Sequence, residues 1–287
     1  MADRVAPIVE ELEHRVKGAY VISTDATGIK VLEPRSAENI ENGTMWCYVG
    51  DGTDVIYKYT PTGEGETGPW VFLKGPEGYV RADAASVFGR VYNGKAGRVI
   101  EVACWAHARR RFVDLEETDC RVAYPLQLIA RLYRIEHLAD ARKLSPKDRA
   151  LLRKTKSVPV LDKLKHCLAN ALPNEPPSSE LAKAVRYVLN QWIALTRFID
   201  DGRLLLDNNI TERQLRSVAI GRRNYLFAGS HDAARRAAVL YSLTRTCAQH
   251  GVPPLPYFTD VLGKMRDGID PSELLPDRWR DTNAPGN

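Results

Sequence analysis

The hydrophobic patterning changes character once along this chain, near Trp105, and that change limits the folds open to it. Between Tyr20 and Glu101 the chain reads as strands and tight turns. YVISTDATGIKVL, TMWCYVG and DVIYKYT are short runs of β-branched and aromatic residues parted by Gly, Asn and Asp. Asn42-Gly43 and Asp51-Gly52 suit tight connections between neighbouring antiparallel strands. TPTGEGETG is too rich in Gly and Thr for regular structure, and PWVFL after it reads as a short helix or turn. GYVRADA then predicts a fourth strand and RVIEVACW a fifth. Three antiparallel strands, followed by two more with a short helix between them, predict a mixed sheet of five.

From Trp105 onward the apolar spacing is helical. AHARRRFVDLEE is one helix, and YPLQLIARLYRIEHLADARKL is another, with Leu128, Leu132, Ile135 and Leu138 close to a helical period. Ser145-Pro146 reads as the cap and first residue of the next helix. VLDKLKHCLANAL follows, then the break PNEPPSS, then SELAKAVRYVLNQWIALTRFI as one long helix ending at Asp201-Gly202. LLLDNNITERQLRSVAIGRRN is an apolar run leading into a helix capped by Asp207 or Asn208. RRAAVLYSLTRTCAQHGVPPLPYFTDVLGKM predicts two more helices with Pro-Pro between them.

Composition narrows the function classes. Of 287 residues, 44% are apolar and 27% charged, the balance of an ordinary globular chain and not of a disordered one. No run approaches the ~18 apolar residues of a membrane span, and MADRVAPIVEELEHRV lacks the apolar core of a secretory signal. The five cysteines are scattered and form no CxxC, which predicts reduced thiols in a cytoplasmic protein and argues against a structural zinc site. The net charge of +5 is unevenly spread. Residues 203–245 hold eight arginines, no lysine and three acids; residues 142–165 hold nine basic residues and two acids. Two basic islands on a mildly acidic body point to a polyanion, of which nucleic acid is the commonest.

Three acids stand out by position. Asp25 lies inside the first strand pattern, Asp83 at the end of the fourth, and Glu212 on the helix DNNITERQLR among Arg213, Arg216, Arg222 and Arg223. Singly, each has a plain reading: a strand-end turn for either aspartate, a salt bridge to Arg216 four residues on for the glutamate. Together, two carboxylates on neighbouring central strands and a third from a helix across them would make an oxygen-rich site for Mg²⁺ or Mn²⁺. Two such ions ~3.5–4 Å apart suit an in-line phosphoryl displacement.

TDATGIKVLEP, GYVRADA, EVACWAHARRRF, AVRYVLNQWIALTRFIDDGRLLLDNNITERQLRSVAIGRRNYLFAGS and RAAVLYSLTRTCAQHG resemble the transposases of the insertion-sequence-66 family. The resemblance is nearly collinear from about Leu12 to Trp279 and includes the terminal ELLP. It implies an α/β fold: a ribonuclease-H-like core, a mixed five-stranded sheet flanked by helices, interrupted by an all-helical lobe. The expected organisation is an N-terminal helix over 1–18, the first part of the catalytic core over 19–112, the helical insertion over 113–180, the rest of the core over 181–250 and a helical tail over 251–287. The basic face of the insertion, residues 142–165, is expected to point toward DNA.

The resemblance makes Asp25, Asp83 and Glu212 the catalytic Asp–Asp–Glu set and the ligands of a two-metal Mg²⁺ or Mn²⁺ site. It picks out Cys104-Trp105-Ala106-His107 as a CxxH element in which Cys104 packs and His107 supports the site or orients its helix. Arg213, Arg216, Arg222 and Arg223, with Arg109 and Arg110, become DNA-phosphate contacts, while Asn208 and Asn209 cap the helix and position Glu212. Tyr187 and Trp192 read as core residues. The implied activity is metal-dependent nicking and strand transfer at insertion-sequence ends in the bacterial cytoplasm, on the nucleoid. The partners are transposon-end and target DNA, a homo-oligomer assembled on DNA and accessory proteins of the same element. Two departures matter. The family's Asp-Glu-Thr is Asp25-Ala26-Thr27 here, and the chain begins one helix before the first strand, where the family carries a long DNA-recognition region. Sequence-specific end binding is therefore expected to be lost or supplied in trans. A non-catalytic DNA-binding remnant and a nuclease without strand transfer are the rival functions.

Overall fold

In the computed structural model, which describes residues 1–34, 39–75, 77–83, 86–93 and 99–283, an amphipathic helix α1 (Ala2–Lys17) opens the chain. Val5, Ile8, Val9, Leu12 and Val16 fall on one stripe and are buried. The strands β1 (Val21–Leu32), β2 (Ile40–Gly50) and β3 (Asp54–Thr60) follow, then a one-turn helix α2 (Pro69–Phe72), β4 (Gly78–Arg81), a short helix α3 (Gly89–Asn93) and β5 (Val99–Val102). They form one mixed sheet in the order β3-β2-β1-β4-β5, with β1, β2 and β3 antiparallel and β4 parallel to β1. This is the ribonuclease-H-like arrangement expected.

Helices α4 (Trp105–Val113), α5 (Ala123–Ala141), α6 (Pro146–Lys156), α7 (Val158–Ala171), α8 (Glu180–Asn190) and α9 (Trp192–Thr196) come next. The chain ends with α10 (Asn209–Tyr225), α11 (His231–Gln249), α12 (Pro254–Arg266) and α13 (Pro276–Asn283). No helix among the described residues is long and apolar enough to cross a membrane. The chain divides into two compact units: Met1–Arg81 with Ala85–Ile100 and Asn209–Asn287, and Ala82–Ala84 with Glu101–Asn208.

In the first unit the alternation of the strands sorts side chains onto two faces. Ile29, Val31, Met45, Cys47, Val49, Val55, Tyr57 and Tyr59 form one buried cluster with Leu215 and Val218 of α10 and Ala234 and Ala238 of α11. On the other face Tyr48 stacks on Phe72 of α2 at 3.7 Å, and Trp46 meets Phe88 edge-on. The edge strand β3 is closed by side chains. The Val55 and Tyr57 N–H groups donate to Thr246 Oγ1 and Ser242 Oγ of α11, which leaves fewer open backbone groups for another strand.

The Asp51-Gly52 connection takes the expected tight form, with φ of +45° and +84°. The Asn42-Gly43 pair does not make a turn. It lies inside β2, with Lys30 opposite Asn42 and Ile29 opposite Gly43. The glycine is there for space: a Cβ would run into the Tyr59 ring. The strand therefore begins at Ile40 and not at Thr44.

In the second unit α5 buries Leu128, Ile129, Leu132 and Ala139, but Leu138 is exposed and Glu136 takes an inward position. The reason is ionic. Arg153 of α6, 0% exposed, donates through Nε and Nη2 to Glu136 at 2.8 and 2.6 Å and through Nη1 to the carbonyls of Phe198 and Asp201. Arg149 also donates to Glu136, so two of the nine basic residues of the 142–165 island point into the helical core. Ser145 caps α6 as expected, accepting from the Asp148 N–H. The long helix expected after Ser179 is broken at Gln191. Two outside donors take carbonyls of the second segment: Ala103 N–H reaches Ala194 O at 3.2 Å and the Trp105 indole N–H reaches Leu195 O at 2.7 Å.

Candidate active site

Asp25 sits midway along β1 on the face that carries Ile29 and Val31, directly opposite Cys47 of β2. It is half-buried, and the Ala26 N–H donates to its Oδ1 at 2.8 Å. Burial pushes the Cys47 thiol up, and the Asp25 charge raises it further. Helix α10 packs along the same face. Ile210 at its start reaches toward Gly52, and Arg222 near its end donates through Nη1 to Thr27 Oγ1 at 3.0 Å and to the Gly28 carbonyl at 2.6 Å. Tyr57 fixes the middle by donating to the Gln214 carbonyl at 2.8 Å. Thr211, Gln214, Leu215 and Val218 are buried at helical spacing, and Glu212 is half-buried in the first turn, where the helix dipole favours an acid. Thus β1 carries Asp25, and α10, which packs along that strand, carries Glu212 in its first turn. Asn209 opens α10, and Arg213, Arg216, Arg222 and Arg223 are exposed.

The second unit holds the other expected residues. Asp83 follows the end of β4 by two positions and is half-buried. Tyr187 of α8 donates its hydroxyl to Asp83 Oδ1 at 2.9 Å, and His107 Nε2 stands 3.7 Å from Oδ2. Burial, and then the Asp83 charge, push the Tyr187 phenol well up, so it remains a donor. The Arg111 guanidinium lies 4.8 Å over the Tyr187 ring. Cys104 is buried and accepts the Asn208 N–H at Sγ across 3.2 Å, while the Trp105 N–H donates to Leu206 O. The CxxH element is thereby laced to the Leu-Leu-Asp-Asn-Asn segment. Burial pushes the Cys104 thiol up to about 11, so the buried side chain is a protonated packing group. Arg109 and Arg110 are exposed on α4, and Asn208 is buried.

Among the described residues no group of three or more His, Cys, Asp or Glu side chains is drawn together closely enough to hold a metal ion. Asp25 and Glu212 in the first unit and Asp83 in the second each offer oxygen alone, the donor type that Mg²⁺ and Mn²⁺ prefer. Sequence reading missed Tyr187 and Arg111 as neighbours of Asp83, and it missed Arg81. That arginine is buried and donates to Ser23 Oγ at 3.1 Å, clamping the ends of β4 and β1. A charged residue inside a strand pattern was the available signal for Arg81; for Tyr187 there was none beyond its helical spacing.

The model of the transposase IS66 family matches residues 1–236. The chain belongs to the IS66 transposase family. Two curated relatives from Sinorhizobium fredii agree: the uncharacterized protein y4hP is 32% identical over 97% of this chain, and the uncharacterized protein y4qI is 32% identical over 93%. A third from the same organism, the uncharacterized protein y4jD, is 37% identical over 62% of the chain. This IS66-family chain spans about half the length of y4hP and y4qI, 54% and 52%. Asp25, Asp83, Glu212 and the CxxH element all lie within the residues that the family model matches.

Proposed function

We propose that the chain is the catalytic core of a DNA transposase, in which Asp25, Asp83 and Glu212 hold Mg²⁺ or Mn²⁺ and direct strand nicking and strand transfer at insertion-sequence ends. The observation that supports this reading is that Asp25 lies on β1 and Glu212 in the first turn of α10, the helix that packs along that strand. Family membership supports it, since IS66 transposases act on DNA.

Ions held by Asp25, Asp83 and Glu212 would supply charge stabilisation for the attacking and leaving oxygens. The protein's own residues do the positioning. Ala26 N–H fixes one Asp25 oxygen, and Tyr187 fixes one oxygen of Asp83. His107 Nε2 stands 3.7 Å from the other Asp83 oxygen. Arg213, Arg216 and Arg223 are exposed for phosphate contact, and arginine engages phosphate oxygens in pairs. In nicking, a water oxygen bonds to phosphorus and the 3′-oxygen leaves. In strand transfer, that 3′-hydroxyl bonds to a target phosphorus and a target 3′-oxygen leaves. No side chain becomes covalently attached to DNA in either step.

The test is a Mg²⁺-dependent assay on labelled insertion-end DNA with separate readouts for nicking and for joining to a target plasmid. Both products are expected, and Asp25→Asn, Asp83→Asn and Glu212→Gln should each abolish them. Nicking without joining would make the chain a nuclease. Binding without either product would make it a DNA-binding remnant.

A further inference from the structure

Beside the end of α10 lies a cleft of about 740 Å³ whose lining has an unusual composition. Three cations, Lys30, Arg222 and Arg223, face it and no acid does. Among the described residues, Lys30 and Arg223 have no ion-pair partner, and Arg222 is anchored to neutral groups of β1. The same cleft is lined by Ile40, Leu226 and Phe227, all exposed large apolar side chains. Leu226 is 62% exposed and Phe227 37%.

The backbone holds those apolar groups outward. Leu226 adopts φ +61°, a left-handed conformation that costs a branched residue free energy. Two residues on, Ala228 is strapped to β1: its N–H donates to Lys30 O and its carbonyl accepts from the Leu32 N–H, both at 2.8 Å. The strap fixes Phe227 beside Lys30. Across the strand pair, Asn42 stands directly opposite Lys30 and brings an amide with both a donor and an acceptor into the lining.

We propose that this cleft binds an unpaired nucleotide of single-stranded DNA, with its base against Phe227 and Leu226 and its flanking phosphates on Lys30, Arg222 and Arg223. Cations without a paired acid favour an anionic ligand, and a cluster of exposed apolar side chains favours a flat apolar face. A DNA duplex offers phosphates but hides its base faces in the stack; a single strand offers both. An acidic peptide would satisfy the cations and leave Phe227 against solvent. The inference rests on the DNA-processing reading and names a feature of the substrate: a strand end or gap that is unpaired near the reacting bond.

The test compares fluorescein-labelled dT20 with a 20-base-pair duplex by anisotropy, using the full chain. Phe227→Ala is expected to weaken dT20 binding by about 5- to 150-fold, the range for losing one base–aromatic stack, and to leave duplex binding within about twofold. Phe227→Trp should retain dT20 affinity, and dT20 should quench an emission component that the wild type lacks. Wild-type affinity of Phe227→Ala for dT20, or no dT20 quenching in Phe227→Trp, would overturn the proposal even if one variant folds poorly. Nicking of insertion ends with no Phe227 effect on dT20 would refute the cleft and spare the transposase reading. Phe227-dependent dT20 binding with no Mg²⁺-dependent nicking would do the reverse.

Discussion

Tyr187 and Asp83, 104 positions apart in sequence, are joined by a 2.9 Å hydrogen bond from the phenol to the carboxylate. The bond gives α8 a direct hold on one of the acids proposed to bind metal. Arg111 lies over the same ring, so the phenol is fixed from two sides.

Tyr187→Phe should therefore reduce nicking about 10-fold or more, the effect of losing a hydrogen bond to a charged group. The Mg²⁺ concentration for half-maximal rate should rise, because Asp83 loses a fixed orientation. A purely structural role for Tyr187 would lower the melting temperature and leave the metal dependence where it was.

Arg223→Ala should flatten the log–log salt dependence of duplex affinity by about one unit, with no change in melting temperature. Arg222 differs from it because it also ties α10 to Thr27 and Gly28. Arg222→Ala should flatten the slope similarly and lower the denaturation midpoint as well. Equal slopes in wild type and Arg223→Ala would show that this arginine does not meet phosphate.

The buried pair of Glu136 and Arg153 should behave asymmetrically. Arg153→Ala removes the two shortest hydrogen bonds to the buried Glu136 carboxylate, leaving it Arg149 at 3.1 Å, and should cost up to about 3–5 kcal/mol of stability. The double replacement Glu136→Leu with Arg153→Met removes both charges and should recover most of that loss. Urea denaturation of the four proteins measures it, and a double variant no better than Arg153→Ala would contradict the assignment.

Gly43→Ala should destabilise the fold by about 1–3 kcal/mol, since the added methyl group meets the Tyr59 ring in a packed sheet. In a Tyr59→Ala background the same change should cost much less. Additive effects in the cycle would mean that strand entropy, and not this contact, sets the need for glycine.

Acid should loosen the C-terminal helix. Burial alone would raise the Asp277 pKa, but the two hydrogen bonds and the charge of Arg15 hold it below its ordinary value of 3.8. A depressed carboxylate contributes stability that is present above about pH 4 and is lost as pH falls through the folded-state value. The stability difference between wild type and Asp277→Asn should be constant near neutrality and shrink below pH 4. A difference that persists unchanged at pH 2 would count against the pairing.

Much of the framework follows from local patterning. The period-two runs predict five strands, the Asp51-Gly52 turn has the handedness that pair demands, and Ser145 caps its helix, because each depends on residues within a few positions of one another. The composition of the Asp207–Arg216 stretch, together with the family resemblance, singles out Glu212 and its neighbouring arginines. What local patterning misjudged has one common cause. Gly43 reads as a turn residue until Tyr59 arrives from β3, and Leu138 reads as part of the apolar stripe of its helix until Arg153 of α6 draws Glu136 inward.

The sequence by itself determined the fold class, the order of the elements and the family, since propensity, periodicity and motif are properties of neighbouring residues. Only the tertiary structure decided which side chains meet. Tyr187 at Asp83, Cys104 under the Asn208 N–H, and Arg222 on the Gly28 carbonyl each join residues about a hundred or more positions apart. Such contacts are selected by packing and by the cost of leaving a buried polar group unpaired, and neither acts on a chain until it has folded.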